Sequence, residues 1–180
     1  MSRIILEGFM GSGKSTYGRV LSKEFLLPFL DTDKEIEKKE GQSISEIFEK
    51  KGEAYFRDLE TGLLKELSRS DICLNGVISL GGGMPVREEN RLLMKECGVV
   101  VYIRGSEELL KERLRGKSEK RPLLNGEDLD SRVKSLLTER EGLYLEAADV
   151  IVDIEGKEIY EVVNELKMIY NRSGRKRYIK

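Results

Sequence analysis

The stretch Gly8-Phe9-Met10-Gly11-Ser12-Gly13-Lys14-Ser15 decides the fold of this chain. It follows the short apolar run Ile4-Ile5-Leu6 and leads into a helix-compatible segment that begins at Thr16. In a loop of this pattern, backbone N–H groups converge on phosphate oxygens, and the N-terminus of the following helix adds partial positive charge. A plain glycine-rich turn is the alternative, but the fixed spacing between a strand and a helix disfavours it. The stretch therefore predicts nucleotide binding.

Two side chains of this phosphate-binding loop carry its chemistry. Lys14 can reach the β and γ phosphates, and Ser15 can offer its hydroxyl to a magnesium ion from the first helical turn. The sequence therefore predicts ATP as cosubstrate and Mg²⁺ as cofactor, and it leaves the phosphate acceptor open.

Length and charge are those of one water-soluble domain. The 180 residues are 39% hydrophobic, enough for one substantial core. Lys and Arg, 32 in number, balance 33 Asp and Glu, and the formal net charge of −1 predicts no nucleic-acid or acidic-membrane partner. We find no signal-like leader and no apolar run near the roughly 20 residues that span a bilayer. We therefore expect a monomeric, cytoplasmic protein.

The absence of histidine and the scarcity of cysteine limit which residues can transfer protons, bind a metal or form a disulfide. The chain has no histidine, so proton transfer falls to a carboxylate, Lys or Tyr, and a zinc site is disfavoured. Cys73 and Cys97 are isolated, which favours small core residues over a disulfide.

Apolar runs that alternate with helical periodicity predict a three-layer α/β fold with a parallel sheet. The expected strands are 4–6, 29–30, 77–80, 99–103 and 150–154, and the expected helices are 14–25, 43–68, 87–97, 106–115, 130–147 and 157–170. We find no internal repeat or linker, so a single domain is expected over 1–171, with a basic tail at 172–180. In such sheets, ligands bind beyond the carboxyl ends of the strands.

Asp31-Thr32-Asp33 follows the second expected strand. Two carboxylates two residues apart can share one side of an extended backbone and face the phosphate-binding loop. One carboxylate would then serve magnesium and the other a proton. A helix N-cap is an equally weighted alternative, and both interpretations can hold at once.

Arg57 and Glu60 lie within one turn of an expected helix. The planar guanidinium of Arg57 suits a carboxylate, and Glu60 could hold it in position, while Phe48 and Phe56 could wall a small acceptor pocket. An ordinary surface ion pair beside two core aromatic residues is the alternative.

The third expected strand passes into Gly81-Gly82-Gly83, a backbone without side chains that something can approach closely. A flexible turn is the alternative. This strand does not end in the Asp expected of many P-loop ATPases, which favours a small-molecule kinase and leaves Asp31 as the candidate for magnesium.

The polar, glycine-flanked segment around 116–128 has the character of a lid. Its closure would bring Arg121 to the transferring phosphoryl group and exclude water. A solvated linker is the alternative. Arg140, on the next expected helix, could return toward the acceptor.

Five motifs, in order along nearly the whole chain, resemble the shikimate kinase family, whose architecture is related to that of nucleoside monophosphate kinases. They are Gly-Ser-Gly-Lys-Ser-Thr at 11–16, Asp-Thr-Asp at 31–33, Gly-Glu and Phe-Arg at 52–53 and 56–57, Gly-Gly-Gly at 81–83, and Arg-Pro-Leu-Leu at 121–124. The resemblance implies sheet order 2-3-1-4-5 and ATP-dependent phosphorylation of the 3-hydroxyl of shikimate, a step toward chorismate and the aromatic amino acids.

The resemblance also implies residue roles. The nucleotide contacts fall on Gly11, Ser12, Gly13, Lys14, Ser15, Thr16, Arg121 and the adenine-stacking Arg113, for which Arg115 is the alternative. The shikimate contacts fall on Asp33, Arg57, Gly81, Gly82, Gly83 and Arg140, with a binding subregion at about 32–62. Asp33, Lys14 and Arg121 are the expected catalytic residues, and Ser15 and Asp31 are the expected magnesium ligands.

Two other functions are weighed against this one. A gluconate-type or nucleoside monophosphate kinase would share the phosphate-binding loop and the lid, but it would not need Phe56-Arg57 together with the triple glycine. A non-catalytic nucleotide-binding module would keep Lys14 without needing Asp33 or an arginine in a lid.

Overall fold

A parallel five-stranded sheet forms the centre of the computed structural model, which describes residues 3–69, 75–115 and 128–175. The strands are β1 Arg3–Glu7, β2 Phe29–Asp31, β3 Gly76–Ser79, β4 Val99–Arg104 and β5 Val150–Asp153. Their spatial order is β2-β3-β1-β4-β5, so the predicted sheet order is confirmed.

The helices lie on both faces of this sheet. They are α1 Lys14–Phe25, α2 Thr32–Glu40, α3 Ile44–Arg69, α4 Glu88–Cys97, α5 Glu107–Leu114, α6 Leu129–Ala147 and α7 Ile159–Arg175, with a short 3-10 helix at Met84–Val86. This is the three-layer α/β arrangement that the alternating pattern predicts.

Side chains of the strands are apolar on both sides, which is why both faces need a helical cover. On β1, Ile5 packs in the cluster that includes residues of α3 and α4, whereas Ile4 and Leu6 pack in the cluster that includes residues of α1 and α7. Each fully buried aliphatic side chain of this kind contributes roughly 2 kcal/mol of transfer free energy. The two cores fix the sheet and therefore the edge at which the strands end.

Three helices differ from the predicted elements. α2 begins at Thr32, directly after β2, so Asp33 lies in a helix and the predicted extended backbone at 31–33 is wrong. α3 is broken at Gly52 (φ 80°, ψ 170°), where the sequence predicts one continuous helix. α7 continues past the predicted end to Arg175, so the first part of the predicted tail is helical.

Several sequence predictions concern features outside the site. Cys97 is buried, as predicted for a small core residue, whereas Cys73 lies outside the described residues. Within the described ranges, no helix has the length and apolar character needed to cross a bilayer.

Candidate active site

The first cavity opens at the N-terminus of α1. The N-cap is Gly13, whose φ of 95° lies in the left-handed region that favours glycine; no side chain caps the helix, and its first turn holds no acidic residue. A Cβ at this position would lie 2.7 Å from the Tyr17 ring. The partial positive charge of the helix terminus therefore faces the cavity without a competing side chain.

Residues of the phosphate-binding loop dominate the lining of this first cavity, of about 460 Å³, which we call the nucleotide cavity. Its lining includes Gly11, Gly13, Lys14, Ser15, Thr16, Asp31, Asp33, Arg113 and Ile159. Ser12 is buried beside them. Six predicted nucleotide-contacting positions, residues 11–16, are thus together at one helix terminus.

Lys14 is buried, and its ammonium group crosses the loop. The Nζ atom donates to the backbone oxygens of Gly8, at 2.8 Å, and Phe9, at 3.0 Å. The loop therefore holds the cation at its own centre, where a phosphate bound by the backbone N–H groups would meet it.

Three oxygen-bearing side chains meet beside the loop. Asp31 and Ser79 are register partners on β2 and β3. The Ser15 hydroxyl donates to Asp31 Oδ2 at 2.6 Å and lies 3.1 Å from the Ser79 hydroxyl oxygen. Asp31 Oδ1 also accepts from the Lys34 backbone N–H and so caps α2. Both sequence interpretations of Asp31, a helix N-cap and a magnesium ligand, are compatible with this geometry.

These oxygens fit Mg²⁺ in kind and in number. Magnesium prefers hard oxygen ligands and is usually held by one or two carboxylates together with substrate phosphates and water. Among the residues described, no group of three or more Asp, Glu, Cys or His side chains could hold a metal by itself. The cluster is therefore of the kind that shares a magnesium ion with a nucleotide.

Arg113 and Arg115 lie in different surroundings. Arg113 lines the nucleotide cavity, and its Nη1 donates to the Ser12 backbone oxygen at 3.2 Å. Arg115 forms an exposed ion pair with Asp130 at 3.4 Å. The geometry favours Arg113 for contact with a base, and Ile159, on α7, lines the same cavity.

The second cavity, of about 590 Å³, lies between α2, α3 and the glycine segment 81–83, and we call it the acceptor cavity. Phe48 and Phe56 line one side of it, with ring centroids 5.0 Å apart. Arg57, Glu60 and Arg140 line it as well. The two aromatic residues predicted to wall a pocket therefore do so.

Arg57 is held by two carboxylates from its own helix. Its Nη1 donates to Glu60 at 2.6 Å, and its Nη2 donates to Glu53 at 2.7 Å. Arg57 is 6% exposed and Glu60 is 0% exposed, so the alternative of an ordinary surface ion pair is wrong. Burial raises the pKa of Glu60 to about 7, against the lowering effect of the Arg57 charge and hydrogen bond.

The glycine segment is shaped by close approach rather than by flexibility. A Cβ on Gly81 would lie 2.4 Å from Asp33 Oδ1, and one on Gly83 would lie 2.2 Å from Arg57 Nη1. A side chain at either position would displace polar groups of the acceptor cavity, which is why the segment that follows β3 is glycine.

Arg140 brings positive charge from α6 to the acceptor cavity. It is 3% exposed, and its Nε and Nη1 atoms have no hydrogen-bond partner among the described residues. A buried guanidinium with donors left over is costly unless a ligand accepts from it. The arrangement suits an anionic group such as a carboxylate.

The two cavities meet at four shared lining residues. These are Met10, Asp31, Asp33 and Gly82. Asp33 therefore lines both cavities, and it reaches this position from the first turn of α2. The predicted lid and its Arg121 lie outside the described residues, apart from Asp128, which caps α6.

A phosphate-binding loop that opens onto a second, charged cavity at a shared carboxylate is the arrangement of a P-loop kinase. Such a site places an acceptor next to the terminal phosphate of a nucleotide and so supports phosphoryl transfer.

Comparison with known proteins identifies the family. The family model described as shikimate kinase matches residues 10–170. The shikimate kinase of Persephonella marina is 43% identical over 166 residues, which cover 92% of this chain and 97% of that protein. The chain belongs to the shikimate kinase family, so the resemblance seen in the sequence and the predicted enzyme class are confirmed.

Solved structures agree with this result. The shikimate kinase of Acinetobacter baumannii, in complex with shikimate, aligns with a TM-score of 0.85 at 35% identity and covers 94% of this chain and 92% of its own. That of Aquifex aeolicus aligns with a TM-score of 0.77 at 48% identity, with coverage of 92% and 94%.

Sequence reasoning missed residues that tertiary structure brings to the site. Ser79 is one polar residue in an apolar strand, and the only local signal was that break in the pattern. Ile159 gave no signal, because an apolar residue at a helix start is expected in a core. Tyr144 gave no signal either, yet its hydroxyl donates to the Gly82 backbone oxygen.

Proposed function

We propose that this chain transfers the γ-phosphoryl group of ATP to the 3-hydroxyl of shikimate, with Mg²⁺ as cofactor. The observation that carries the proposal is the meeting of the nucleotide and acceptor cavities at Asp33. A carboxylate at that junction lies where an acceptor hydroxyl must be oriented toward a phosphate.

The nucleotide is bound chiefly by backbone and helix dipole. Residues 11–16 surround the phosphates, Lys14 offsets the charge that develops between the β and γ phosphates, and Arg113 contacts the adenine. Ser15 and Asp31, assisted by Ser79, would hold Mg²⁺. When bound, the metal offsets phosphate charge and orients the triphosphate.

Shikimate recognition rests on its carboxylate. Arg140 supplies unpaired donors and Arg57 a second guanidinium, both buried, so an anion that enters is desolvated and gains strong charge-assisted hydrogen bonds. The glycine segment lets the ring approach the backbone, and Phe48 and Phe56 cover its apolar side.

Asp33 orients the acceptor hydroxyl and takes its proton as the oxygen attacks the γ phosphate. Phosphoryl transfer has a loose transition state, so positioning contributes at least as much as proton removal. Arg121, from the proposed lid, approaches the transferring group when the site closes and helps to exclude water.

A coupled assay of ADP release tests this function directly. With ATP and Mg²⁺ held constant, shikimate should give turnover, whereas gluconate, AMP and an acceptor-free control should not. Turnover with gluconate or AMP instead would show that the acceptor cavity was assigned to the wrong substrate. Static light scattering of the same preparation checks the predicted monomer, and fractionation of cells checks the predicted cytoplasmic location.

A further inference from the structure

Tyr144 lies near the end of α6, behind the acceptor cavity rather than in its lining. The side chain is 0% exposed, and its hydroxyl donates to the Gly82 backbone oxygen at 2.5 Å. Gly82 belongs to the glycine segment and lines both cavities. One buried phenol thus holds the middle of the segment on which the acceptor must rest.

The same phenol also neighbours Arg140. The two residues are four positions apart on α6 and therefore lie on one face of the helix. Burial raises the pKa of Tyr144 above its ordinary value, and the charge of Arg140 and a side-chain hydrogen bond to it partly offset this effect. The phenol therefore stays neutral, with a proton for Gly82 and lone pairs that face the guanidinium.

Two further observations concern the freedom of the Tyr144 ring and the unused donors of Arg140. The Tyr144 ring stacks on Tyr102, with centroids 5.1 Å apart and planes 29° apart, which leaves the hydroxyl little freedom. Meanwhile, Nε and Nη1 of Arg140 remain without partners among the described residues. The guanidinium beside the Tyr144 phenol therefore has donors left for a ligand in the acceptor cavity, which Arg140 lines.

We propose that Tyr144 is a positioning residue for the acceptor: its hydroxyl fixes the Gly82 carbonyl and the Arg140 guanidinium in the geometry that binds the substrate carboxylate. This inference rests on the proposed shikimate kinase function. Tyr144 does not line either cavity, so it acts through these two neighbours and not by contact with substrate.

The test compares Tyr144→Phe with Tyr102→Phe. Both changes remove one hydroxyl from the same stacked pair, but the Tyr102 hydroxyl makes no hydrogen bond to any described residue. Tyr144→Phe should raise the KM for shikimate about tenfold, as expected for the loss of one buried hydrogen bond. The KM for ATP should stay unchanged, and Tyr102→Phe should match the parent protein in both constants.

A double-mutant cycle separates positioning from a general structural effect. If Tyr144 acts through Arg140, the KM of the double variant for shikimate should exceed that of Arg140→Lys alone by much less than tenfold. Equal KM changes for shikimate and ATP, or full additivity with Arg140→Lys, would overturn the proposal. If the parent protein does not phosphorylate shikimate at all, it is the proposed function that fails.

A measurement on the unaltered protein covers the case in which Tyr144→Phe does not fold. With ζ-¹³C-labelled tyrosine, addition of shikimate should shift the NMR resonance of a tyrosine that addition of ATP leaves in place. The absence of any shikimate-specific tyrosine shift would overturn the inference.

Discussion

The nucleotide cavity takes its phosphate-binding groups from one continuous stretch, Gly8 to Ser15, whereas the acceptor cavity is assembled from α2, α3, the glycine segment and α6. The first cavity offers a ligand chiefly the backbone of the loop and the N-terminus of α1. In the second, side chains that are distant in sequence face one another across the sheet edge.

This difference has an energetic counterpart. The loop needs only local backbone geometry, so its binding groups are in place once α1 forms. The acceptor cavity holds Glu60, Arg57 and Arg140 in buried positions. The Arg57 charge depends on Glu53 and Glu60 of its own helix, and Arg140 reaches the cavity from another helix. We therefore expect substitutions in the loop to affect chemistry alone, and substitutions in the acceptor cavity to affect substrate binding and stability together.

The largest effect is expected for Lys14→Ala, in the nucleotide cavity. Loss of the cation that faces the β and γ phosphates should lower kcat roughly 10³-fold or more, with little change in melting temperature. Lys23→Ala, an exposed lysine in the last turn of the same helix, is the matched control and should keep full activity. Substantial turnover by Lys14→Ala would remove the basis for treating this loop as catalytic.

The junction of the two cavities can be dissected with Asp33→Asn and Asp31→Asn. Asp33→Asn keeps size but cannot accept a proton, so kcat should fall roughly 10²- to 10⁴-fold at every magnesium concentration. The defect of Asp31→Asn should soften as magnesium is raised, because mass action refills a weakened metal site. Titration of turnover against magnesium tests both, and rescue of Asp33→Asn alone would reverse the two assignments.

A smaller effect is expected when either acceptor arginine becomes lysine. Arg140→Lys should raise the KM for shikimate on the order of tenfold, because charge is kept but the planar donor geometry is lost. Arg57→Lys should raise this KM too and should also lower the melting temperature, since Glu53 and Glu60 lose a shared partner. Arg115→Lys, at an exposed pair, serves as control. Unchanged KM values in both variants would argue against carboxylate recognition here.

The smallest effect on activity is expected at Glu7, which lies behind the nucleotide loop. Its carboxyl is 0% exposed, and neither oxygen has a hydrogen-bond partner among the described residues. Burial raises its pKa to about 8; Lys14 and Lys95 oppose this shift and Asp149 adds to it. Tyr102 and Tyr144 are also close enough to feel its charge.

The sign of the pH effect follows from that pKa. Below the unfolded pKa of about 4.5 both states hold the proton, and above it only the folded state keeps it until about pH 8. Stability should therefore fall as pH rises through this window, by an amount on the order of 3 kcal/mol between pH 5 and 8.

Glu7→Gln should abolish the part of the pH dependence of stability that comes from the Glu7 carboxyl. Urea unfolding at pH 5 and pH 8 measures the difference between the variant and the parent protein, which also cancels the contribution of Glu60, whose raised pKa acts in the same direction. A parallel pH dependence in both proteins would show that Glu7 is ionised in the folded state.

Local patterns explain what could be predicted. Apolar runs bounded by glycine or polar turns predict the five strands, and parallel connection of such strands through helices leaves few possible topologies. The helix break at Gly52 and the start of α2 at Thr32 were not predicted, because hydrophobic periodicity continues through a kink and a short polar helix has little periodicity to detect. The sequence correctly predicts that Asp33 lies at the carboxyl edge of the sheet, but it predicts an extended backbone there, whereas Asp33 lies in helix α2.

The phosphate-binding loop, the α/β class and the family could all be predicted from the sequence, because each depends on residues that are contiguous or regularly spaced. Long-range packing, by contrast, is what brings Ser79 to Ser15 and Asp31, Tyr144 to Gly82, and Glu7 to a buried position with no hydrogen-bond partner among the described residues. The physical reason is that hydrogen bonding and burial depend on neighbours from distant segments, and no local pattern specifies which segments will meet.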